Sequence, residues 1–120
     1  AEFRDLYATL HAAQAEAVAA ATVGTPCEDV DGVARRIITD GGYGPYFIHR
    51  TGHGIGLEAH EEPWIVSGND TVLEAGMCFS IEPGIYLPGR HGARIEDIVT
   101  VSQQGVERLD TIDRELVVLA

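Results

Sequence analysis

The sequence predicts an α+β fold in which two helices come first and a largely antiparallel sheet follows. Apolar residues recur at spacings of three and four through roughly the first forty residues, which is the periodicity of amphipathic helices. From Tyr43 onward, several segments instead alternate apolar and polar residues, as half-buried strands do. Turn-forming residues separate these segments at 68–70, 88–89 and 103–105, so the connections are short and consecutive strands are expected to pair.

The first predicted helix runs from residue 3 to about residue 21. This stretch is rich in alanine and contains neither proline nor glycine, which both disfavour helix interiors. Its apolar positions form one stripe of mostly small side chains, which allows another element to approach closely. The stripe consists of Leu6, Leu10, Ala13, Ala17 and Ala21.

The second predicted helix begins at Thr25-Pro26 and ends at Gly41-Gly42. We expect Thr25 to be the N-cap and Pro26 the first helical residue, with Glu28 three positions after the cap. The two glycines tolerate the left-handed conformation that ends many helices. The apolar stripe of this helix is formed by Val30, Val33, Ala34 and Ile37. Both helices are expected to cover one face of the sheet.

Four segments are predicted to be strands, because they alternate in polarity or are rich in β-branched and aromatic residues. These segments are residues 46–49, 77–82, 93–101 and 115–119. A further turn is expected at residues 61–63, where two glutamates precede a proline.

Composition limits the classes of partner. The chain has the length of one domain, and its 45% hydrophobic residues are enough to form a core. Eight Lys and Arg residues against 19 Asp and Glu residues give a net charge of −11, which repels nucleic acid and anionic membranes, so we exclude both as partners. No apolar run approaches the roughly 20 residues that a membrane span needs, and the first residues do not resemble a signal peptide.

The two cysteines, Cys27 and Cys78, lie 51 positions apart, which is neither a metal-binding nor a redox spacing. We therefore expect two reduced thiols in a soluble, cytoplasmic protein.

Two glutamates in the second half of the chain, Glu82 and Glu96, are candidate metal ligands. Glu82 ends a predicted strand on its small, polar face. In the next predicted strand, side chains alternate between faces, so Glu96 and Asp97 do not both reach one site unless a bulge intervenes. We choose Glu96, because Arg94 two residues away can keep its carboxylate ionised and oriented. The alternative is an ordinary surface pair of Arg94 and Glu96.

His53 is the third candidate ligand, because it lies between Gly52 and Gly54, where missing side chains let the backbone approach a ligand. His60 follows seven residues later, so on one unbroken strand the two rings would face opposite ways, and a kink is needed to bring them together. His49 shares the parity of His53 and can line the same cavity. For His53 and His49 alike, the alternative is a histidine that only packs in the protein interior.

Three motifs, occurring in order, resemble the metal-binding half of the pita-bread metallopeptidases, which include methionine aminopeptidase, aminopeptidase P and prolidase. Together with the two preceding helices they cover most of the chain. The third to seventh residues of the second motif, Glu82 to Tyr86, and the third motif are most similar to the proline-directed branch, Xaa-Pro aminopeptidase and Xaa-Pro dipeptidase. The motifs are Gly52-His53-Gly54-Ile55-Gly56-Leu57-Glu58-Ala59-His60-Glu61-Glu62-Pro63, Ser80-Ile81-Glu82-Pro83-Gly84-Ile85-Tyr86 and Arg94-Ile95-Glu96-Asp97.

This resemblance implies a role for each candidate residue. His53 would bind one metal ion, Glu82 would bind metal and accept the proton of the attacking water, and Glu96 would bridge two ions. His60 would contact the scissile peptide or its tetrahedral intermediate, with His49 in the substrate pocket. The implied centre holds two divalent ions, and its oxygen-rich ligand set favours Mn²⁺ over Co²⁺ or Zn²⁺.

The resemblance also implies an incomplete centre. Family members supply two further aspartates from a strand hairpin that precedes the first helix, and the acids of the first 40 residues here lie in or beside the predicted helices. We therefore expect residues 1–120 to be the C-terminal half of a pita-bread catalytic domain and to be inactive alone. The parent protein is expected to be a homodimer that cleaves peptides with proline in second position. The alternatives are a methionine aminopeptidase and a catalytically silent pita-bread binding module.

Overall fold

The structure, a computed structural model, describes all 120 residues. Two helices, α1 (Glu2–Ala20) and α2 (Cys27–Asp40), come first, followed by a short 3-10 helix (Gly44–Tyr46). Seven strands follow: β1 (Gly52–Gly54), β2 (Glu61–Ile65), β3 (Cys78–Ile81), β4 (Gly84–Leu87), β5 (His91–Arg94), β6 (Asp97–Ser102) and β7 (Gly105–Arg108). Five form a sheet in the order β2-β1-β3-β6-β7, while β4 and β5 form a separate hairpin, and every pairing is antiparallel. The predicted α+β class is confirmed.

The core lies between the helices and the strands. Helix α1 packs against α2, β3, β4 and β5, and α2 packs against β2. The predicted stripe of α1 is confirmed, since all five of its residues are fully buried. On α2 the buried face is rotated: Val30 and Ala34 are fully buried with Ile38, whereas Val33 and Ile37 are half-buried. Burying a side chain such as Ile38 contributes about 1.5–3 kcal/mol to stability.

The start of α2 differs from the prediction. Pro26 is the N-cap residue, and no side chain caps the helix, so the predicted role of Thr25 is wrong. The first amide groups are satisfied elsewhere, because Cys27 and Glu28 each donate a backbone hydrogen bond of 2.8 Å to a carbonyl in residues 69–71. A neighbouring backbone segment therefore replaces the side-chain cap.

The strand predicted at residues 46–49 is absent. The chain forms the 3-10 helix and then continues without regular structure. The side chain of Arg35 donates to the carbonyls of Phe47 and His49 at 3.1 and 3.0 Å, so a side chain occupies acceptors that a strand partner would use.

The single strand predicted at residues 93–101 is two strands. Strand β5 pairs with β4 and ends at Arg94, and β6 begins at Asp97 and pairs with β3. Ile95 and Glu96 lie where the chain passes from one sheet to the other. The alternation assumed for one continuous strand is therefore interrupted beside the candidate ligand.

Two further predictions are wrong. Residues 61–63 belong to strand β2 rather than to a turn. Residues 115–119 form no strand, and the hydroxyl of Tyr7 ties the preceding Arg114 carbonyl to α1 at 2.8 Å. The three turns predicted between segments are confirmed, and Gly68, Gly89 and Gly105 in them have φ of 87°, 73° and 129°.

Neither helix combines the length and the apolar character that crossing a membrane requires. Both thiols are free, with Cys27 buried and Cys78 half-buried.

Candidate metal centre

Three of the sequence-predicted residues lie together. One ligand atom from each of His53, Glu82 and Glu96 lies within 4.8 Å of the others. The register explains why the two glutamates meet. Ile81 pairs with Asp97 across β3 and β6, and Gly84 pairs with Arg94 across β4 and β5. Glu82 and Glu96 therefore lie in the two chain segments that cross between these paired positions.

The backbone around His53 is held closely by its neighbours. A Cβ atom at Gly52 would lie 1.8 Å from the carbonyl oxygen of Ser80, and one at Gly54 would lie 2.1 Å from that of Glu62. Only glycine fits at either position. The His53 amide donates to Ser80 Oγ at 3.0 Å. Strand β1 thus lies tightly between β2 and β3, and it places His53 at the edge of a cleft that Glu82 also lines.

Two side-chain atoms of the site that have no hydrogen bond, His53 Nε2 and Glu82 Oε2, lie next to each other. His53 Nδ1–H donates to the carbonyl of Gly54 at 2.9 Å, which leaves Nε2 with its lone pair. Nε2 lies 3.2 Å from Glu82 Oε2, a buried atom that has no hydrogen-bond partner. Two atoms that bind the same ion at ordinary distances lie about 3 Å apart. An imidazole nitrogen and an unpartnered carboxylate oxygen at this spacing fit a divalent cation.

Burial raises the pKa of Glu96 above its ordinary value, and repulsion from the facing carboxylate of Glu82 raises it further. Arg94 opposes this shift, but its ion pair is with Glu82, Nη1 to Oε1 at 3.7 Å, and not with Glu96 as the sequence suggested. Two carboxylates that compete for a proton in this way are suited to sharing a positive ion instead.

His60 reaches the site despite its odd spacing from His53. The two ring centroids lie 4.2 Å apart. The residues between them leave β1 after Gly54 and enter β2 at Glu61, so the loop supplies the kink that alternation requires. His60 is exposed to the cleft and is absent from the ligand cluster.

His49 lies beside the cluster and not in it. Its Nδ1–H donates to the carbonyl of Arg50 at 2.7 Å, and its Nε2 accepts from the hydroxyl of Tyr86 at 3.0 Å. Burial lowers the pKa of His49, and the positive charge of Arg94 lowers it further. A Cβ at Gly84 would lie 2.3 Å from the Tyr86 hydroxyl, so that glycine makes room for this contact.

Sequence reasoning assigned no role to Tyr86. Its signal is its position four residues after Glu82, which places it on β4 facing the site.

Asp97 points away from the cluster. Its carboxylate is 2% exposed and accepts from Gln14 Nε2 of α1 at 2.8 Å. Arg108 also donates to it at 3.1 Å, and Arg114 lies 3.6 Å away. Glu96 and Asp97 therefore face different neighbours, although Glu96 lies between β5 and β6 and not within the single strand predicted from the sequence.

The cluster opens into a cleft of about 1100 Å³. His53, His60 and Glu82 line it together with His49 and Arg94. Glu96 lies just outside the lining, on the side of a second, smaller cavity of about 380 Å³.

Comparison with known proteins identifies the family. Residues 1–103 match the sequence profile of metallopeptidase family M24. The chain belongs to this family. It is 54% identical over 118 residues to the Xaa-Pro dipeptidase of Lactobacillus delbrueckii subsp. lactis, which covers 98% of this chain and 32% of the relative.

Solved structures show the same M24 fold. Dipeptidase PepE from Mycobacterium ulcerans superposes with a TM-score of 0.94 at 52% identity, covering 96% of this chain and 31% of that protein. Recombinant prolidase from Thermococcus sibiricus gives a TM-score of 0.94 at 51% identity, with 96% and 31% covered. The fold is therefore half of a pita-bread fold, as the resemblance implied. The chain spans about a third of the length of these relatives.

Proposed function

We propose that the intact protein containing this chain is a dinuclear metal-dependent Xaa-Pro dipeptidase. It would hydrolyse the bond between an N-terminal residue and a following proline. The observation that carries the proposal is the convergence of His53, Glu82 and Glu96 within 4.8 Å, with Glu82 Oε2 buried and unpartnered, in a chain of family M24. Relatives named Xaa-Pro dipeptidase or prolidase support the choice of substrate.

Residues 1–120 are, in this proposal, the C-terminal half of the catalytic domain. The chain matches about a third of each relative, and its three candidate ligands are too few for two ions. Two aspartates from the rest of the protein would complete the ligand set, as the family resemblance implies. The 120-residue chain alone is accordingly expected to be inactive.

Each residue of the site has its own role in the proposed hydrolysis. Divalent ions held by His53, Glu82 and Glu96 would lower the pKa of a bound water and offset negative charge on the carbonyl oxygen. Glu82, whose Oε2 has no hydrogen bond, accepts the proton as the water oxygen bonds to the carbonyl carbon. His60 donates a hydrogen bond to the developing oxyanion. The carbon–nitrogen bond then breaks, the proton passes to the proline nitrogen, and an amino acid and proline leave.

The ligand set favours Mn²⁺ among the candidate ions. Two carboxylates and one imidazole form a hard, oxygen-rich set, whereas the two cysteines take no part in the cluster. Co²⁺ and Zn²⁺ are the alternatives that metal analysis would distinguish.

Two further properties belong to the proposal. The family resemblance implies a homodimer, which sedimentation of the intact protein measures. Two free thiols, Cys27 and Cys78, fit a cytoplasmic location, which cell fractionation measures.

The test uses the intact protein, stripped with a chelator and reloaded with Mn²⁺. We expect chelation to abolish hydrolysis of an Xaa-Pro dipeptide and Mn²⁺ to restore it, with little cleavage of Met-Ala. Preferential Met-Ala cleavage would identify a methionine aminopeptidase instead. Metal binding without any hydrolysis would identify a binding module, and hydrolysis that survives complete chelation would refute the metal mechanism.

A further inference from the structure

One buried carboxylate of the chain takes no part in the candidate metal centre. Asp31 lies on α2 and is 1% exposed. Its two oxygens accept hydrogen bonds of 2.9 and 3.0 Å from Nε and Nη2 of Arg35, one turn later on the same helix. A buried ion pair is a weak source of stability, because removing the charges from water can cost as much as their attraction returns. The other contacts of the pair are therefore the better guide to its role.

The remaining hydrogen bonds of this pair all go to the irregular segment that precedes β1. Arg35 donates from Nη1 to the carbonyl of Phe47 at 3.1 Å and from Nη2 to that of His49 at 3.0 Å. The hydroxyl of Thr51, which is fully buried, donates to Asp31 Oδ1 at 2.8 Å. The guanidinium also lies 4.1 Å from the centroid of the Phe47 ring. Helix α2 thus holds this segment at every second residue.

Thr51 connects the segment to two residues of the metal centre. Its backbone carbonyl accepts the amide of Glu82 at 2.6 Å. His53 lies two residues further along the chain, in β1. The Thr51 amide donates to the carbonyl of Ile65 in β2 at 3.0 Å, so every polar group of this threonine is engaged. A shift of Thr51 would therefore move two candidate ligands relative to each other.

An arginine is suited to this task by its shape. The guanidinium is a rigid plane with five N–H groups, and here all three of its nitrogens donate in fixed directions. A lysine ammonium cannot bind a carboxylate through two parallel bonds and also reach two carbonyls. Ligand distances in a metal site vary by only about 0.2 Å, so a rigid support of this kind suits a segment that leads into a ligand.

We propose that the Asp31–Arg35 pair positions the metal centre through Thr51. By holding that threonine, helix α2 fixes the separation between His53 and Glu82. The proposal rests on the metal centre of the proposed function and adds the residues that set its geometry. The ion pair and the threonine are absent from the ligand cluster, so they are positioning residues and not ligands.

The mildest test is Thr51→Val, which removes one hydroxyl with little change of shape. In the intact, metal-free protein we expect this variant to lower Mn²⁺ affinity about 10- to 100-fold, the usual cost of losing a residue that orients a ligand. Thr51→Ser keeps the hydroxyl and should retain most of the affinity. Thr100→Val, which removes a threonine hydroxyl bond to the Met77 carbonyl at 3.2 Å, is the matched control and should leave the affinity unchanged. Calorimetric titration measures it, at a temperature where circular dichroism shows each variant folded.

A second measurement needs no metal. The Glu82 amide donates to the Thr51 carbonyl, so its hydrogen exchange reports how firmly the threonine is held. We expect exchange of this amide in the metal-free protein to accelerate about 10-fold in Thr51→Val, the factor that one hydrogen bond is worth. The amide of Val101, which donates to Met77 elsewhere in the sheet, should be accelerated far less. Nuclear magnetic resonance resolves the two amides.

A substitution on α2 tests the same connection from its other end. Arg35→Lys keeps a cation beside Asp31 but loses the planar fork, and it should lower Mn²⁺ affinity as Thr51→Val does. If the two residues act through one connection, the affinity loss of the double variant should be smaller than the sum of the single losses, expressed as free energies. A full sum would show that they act independently and would overturn the proposed connection.

The outcomes separate this proposal from the proposed function. Unchanged Mn²⁺ affinity in Thr51→Val, or equal acceleration of the Glu82 and Val101 amides, would overturn the positioning role while leaving the Xaa-Pro activity intact. If the wild type binds Mn²⁺ but hydrolyses no Xaa-Pro substrate, the activity fails, and the affinity and exchange measurements still decide the role of Thr51. If the intact wild type binds no divalent ion, both proposals are refuted.

Discussion

The rings of His53 and His60 lie 4.2 Å apart although they are separated by seven residues, an odd spacing that places side chains on opposite faces of a strand. The chain leaves β1 after His53 and Gly54, and His60 immediately precedes β2. A metal-ligand candidate and a non-ligand histidine are thereby placed side by side, with different proposed roles.

Replacing His60 should slow the chemical step with little effect on metal content. In the intact protein we expect His60→Ala to lower kcat about 10²- to 10³-fold, the usual cost of removing one donor to an oxyanion, with bound Mn²⁺ unchanged. Steady-state kinetics and elemental analysis measure the two quantities. His11→Ala, a half-buried histidine on α1 near Glu115, is the matched control. Loss of metal from His60→Ala would show that His60 is a ligand.

Glu96 should govern metal binding. We expect Glu96→Gln in the intact protein to weaken Mn²⁺ affinity by at least about 10- to 100-fold, a loss that substitution of mere supporting residues already causes. Calorimetric titration of the metal-free protein gives the affinity. Glu107→Gln, an exposed glutamate on β7, serves as the control. Unchanged affinity in Glu96→Gln would remove Glu96 from the ligand set.

The buried carboxylate of Asp97 should be a stability determinant. Its loss leaves Gln14 and Arg108 without their shared acceptor, and Asp97→Ala is expected to lower the free energy of unfolding by about 3 kcal/mol. That figure is the low end of the usual range, because the guanidinium of Arg108 is partly exposed. Urea unfolding measures the change, with the exposed Asp70→Asn as control. A loss as small as that of the control would show that the network contributes nothing.

The two thiols should differ in reactivity. Cys27 is fully buried, and burial raises the pKa of its thiol, whereas Cys78 lines the cleft. Thiolate is the reactive form, so we expect a thiol reagent to modify Cys78 in the folded protein and Cys27 only after unfolding. The folded protein should therefore show one fast phase of thiol modification, and this phase should vanish in Cys78→Ser. A fast phase that survives in this variant and vanishes in Cys27→Ser would contradict the structure.

Tyr43 should contribute to the free energy of unfolding in a way that is lost at alkaline pH. Its hydroxyl donates to Asp5 at 2.6 Å, and this hydrogen bond raises the pKa of Tyr43 above its ordinary 10.0. Because the folded-state pKa is the higher one, the stabilisation is complete below pH 10.0 and is lost as pH rises through the folded value. Unfolding curves of wild type and Tyr43→Phe should therefore converge at high pH. A difference that persists unchanged there would contradict this linkage.

Much of the fold follows from local pattern, and the departures have a common cause. The buried stripe of α1 and the three glycine turns are dictated by residues close in sequence, so they could be predicted. The cap of α2 and the irregular segment after Tyr46 depend on partners far along the chain, such as residues 69–71 and Arg35. Sequence alone does not show those partners.

In the candidate site, too, some features follow from residues close in sequence and others depend on partners far along the chain. Alternation along the chain predicted that Glu96 and Asp97 would not reach the same site, and the choice of Glu96 rested on the neighbouring Arg94. The pairing of Arg94 with Glu82, and the contact of Tyr86 with His49, depend on how the β4–β5 hairpin turns away from the larger sheet. No pattern in the local sequence shows that the β4–β5 hairpin forms a sheet of its own.

The bonds from α1 to the far end of the chain also have a consequence for biosynthesis. Gln14 finds Asp97 only 83 residues later, and Tyr7 meets Arg114 107 residues later. At ordinary translation rates, the first helix waits roughly 5 to 20 seconds on the ribosome before these partners exist. Strands β3, β4 and β5 are also made late in that interval, so for most of it the buried face of α1 can pack only against α2 and exposes apolar surface that a chaperone could bind.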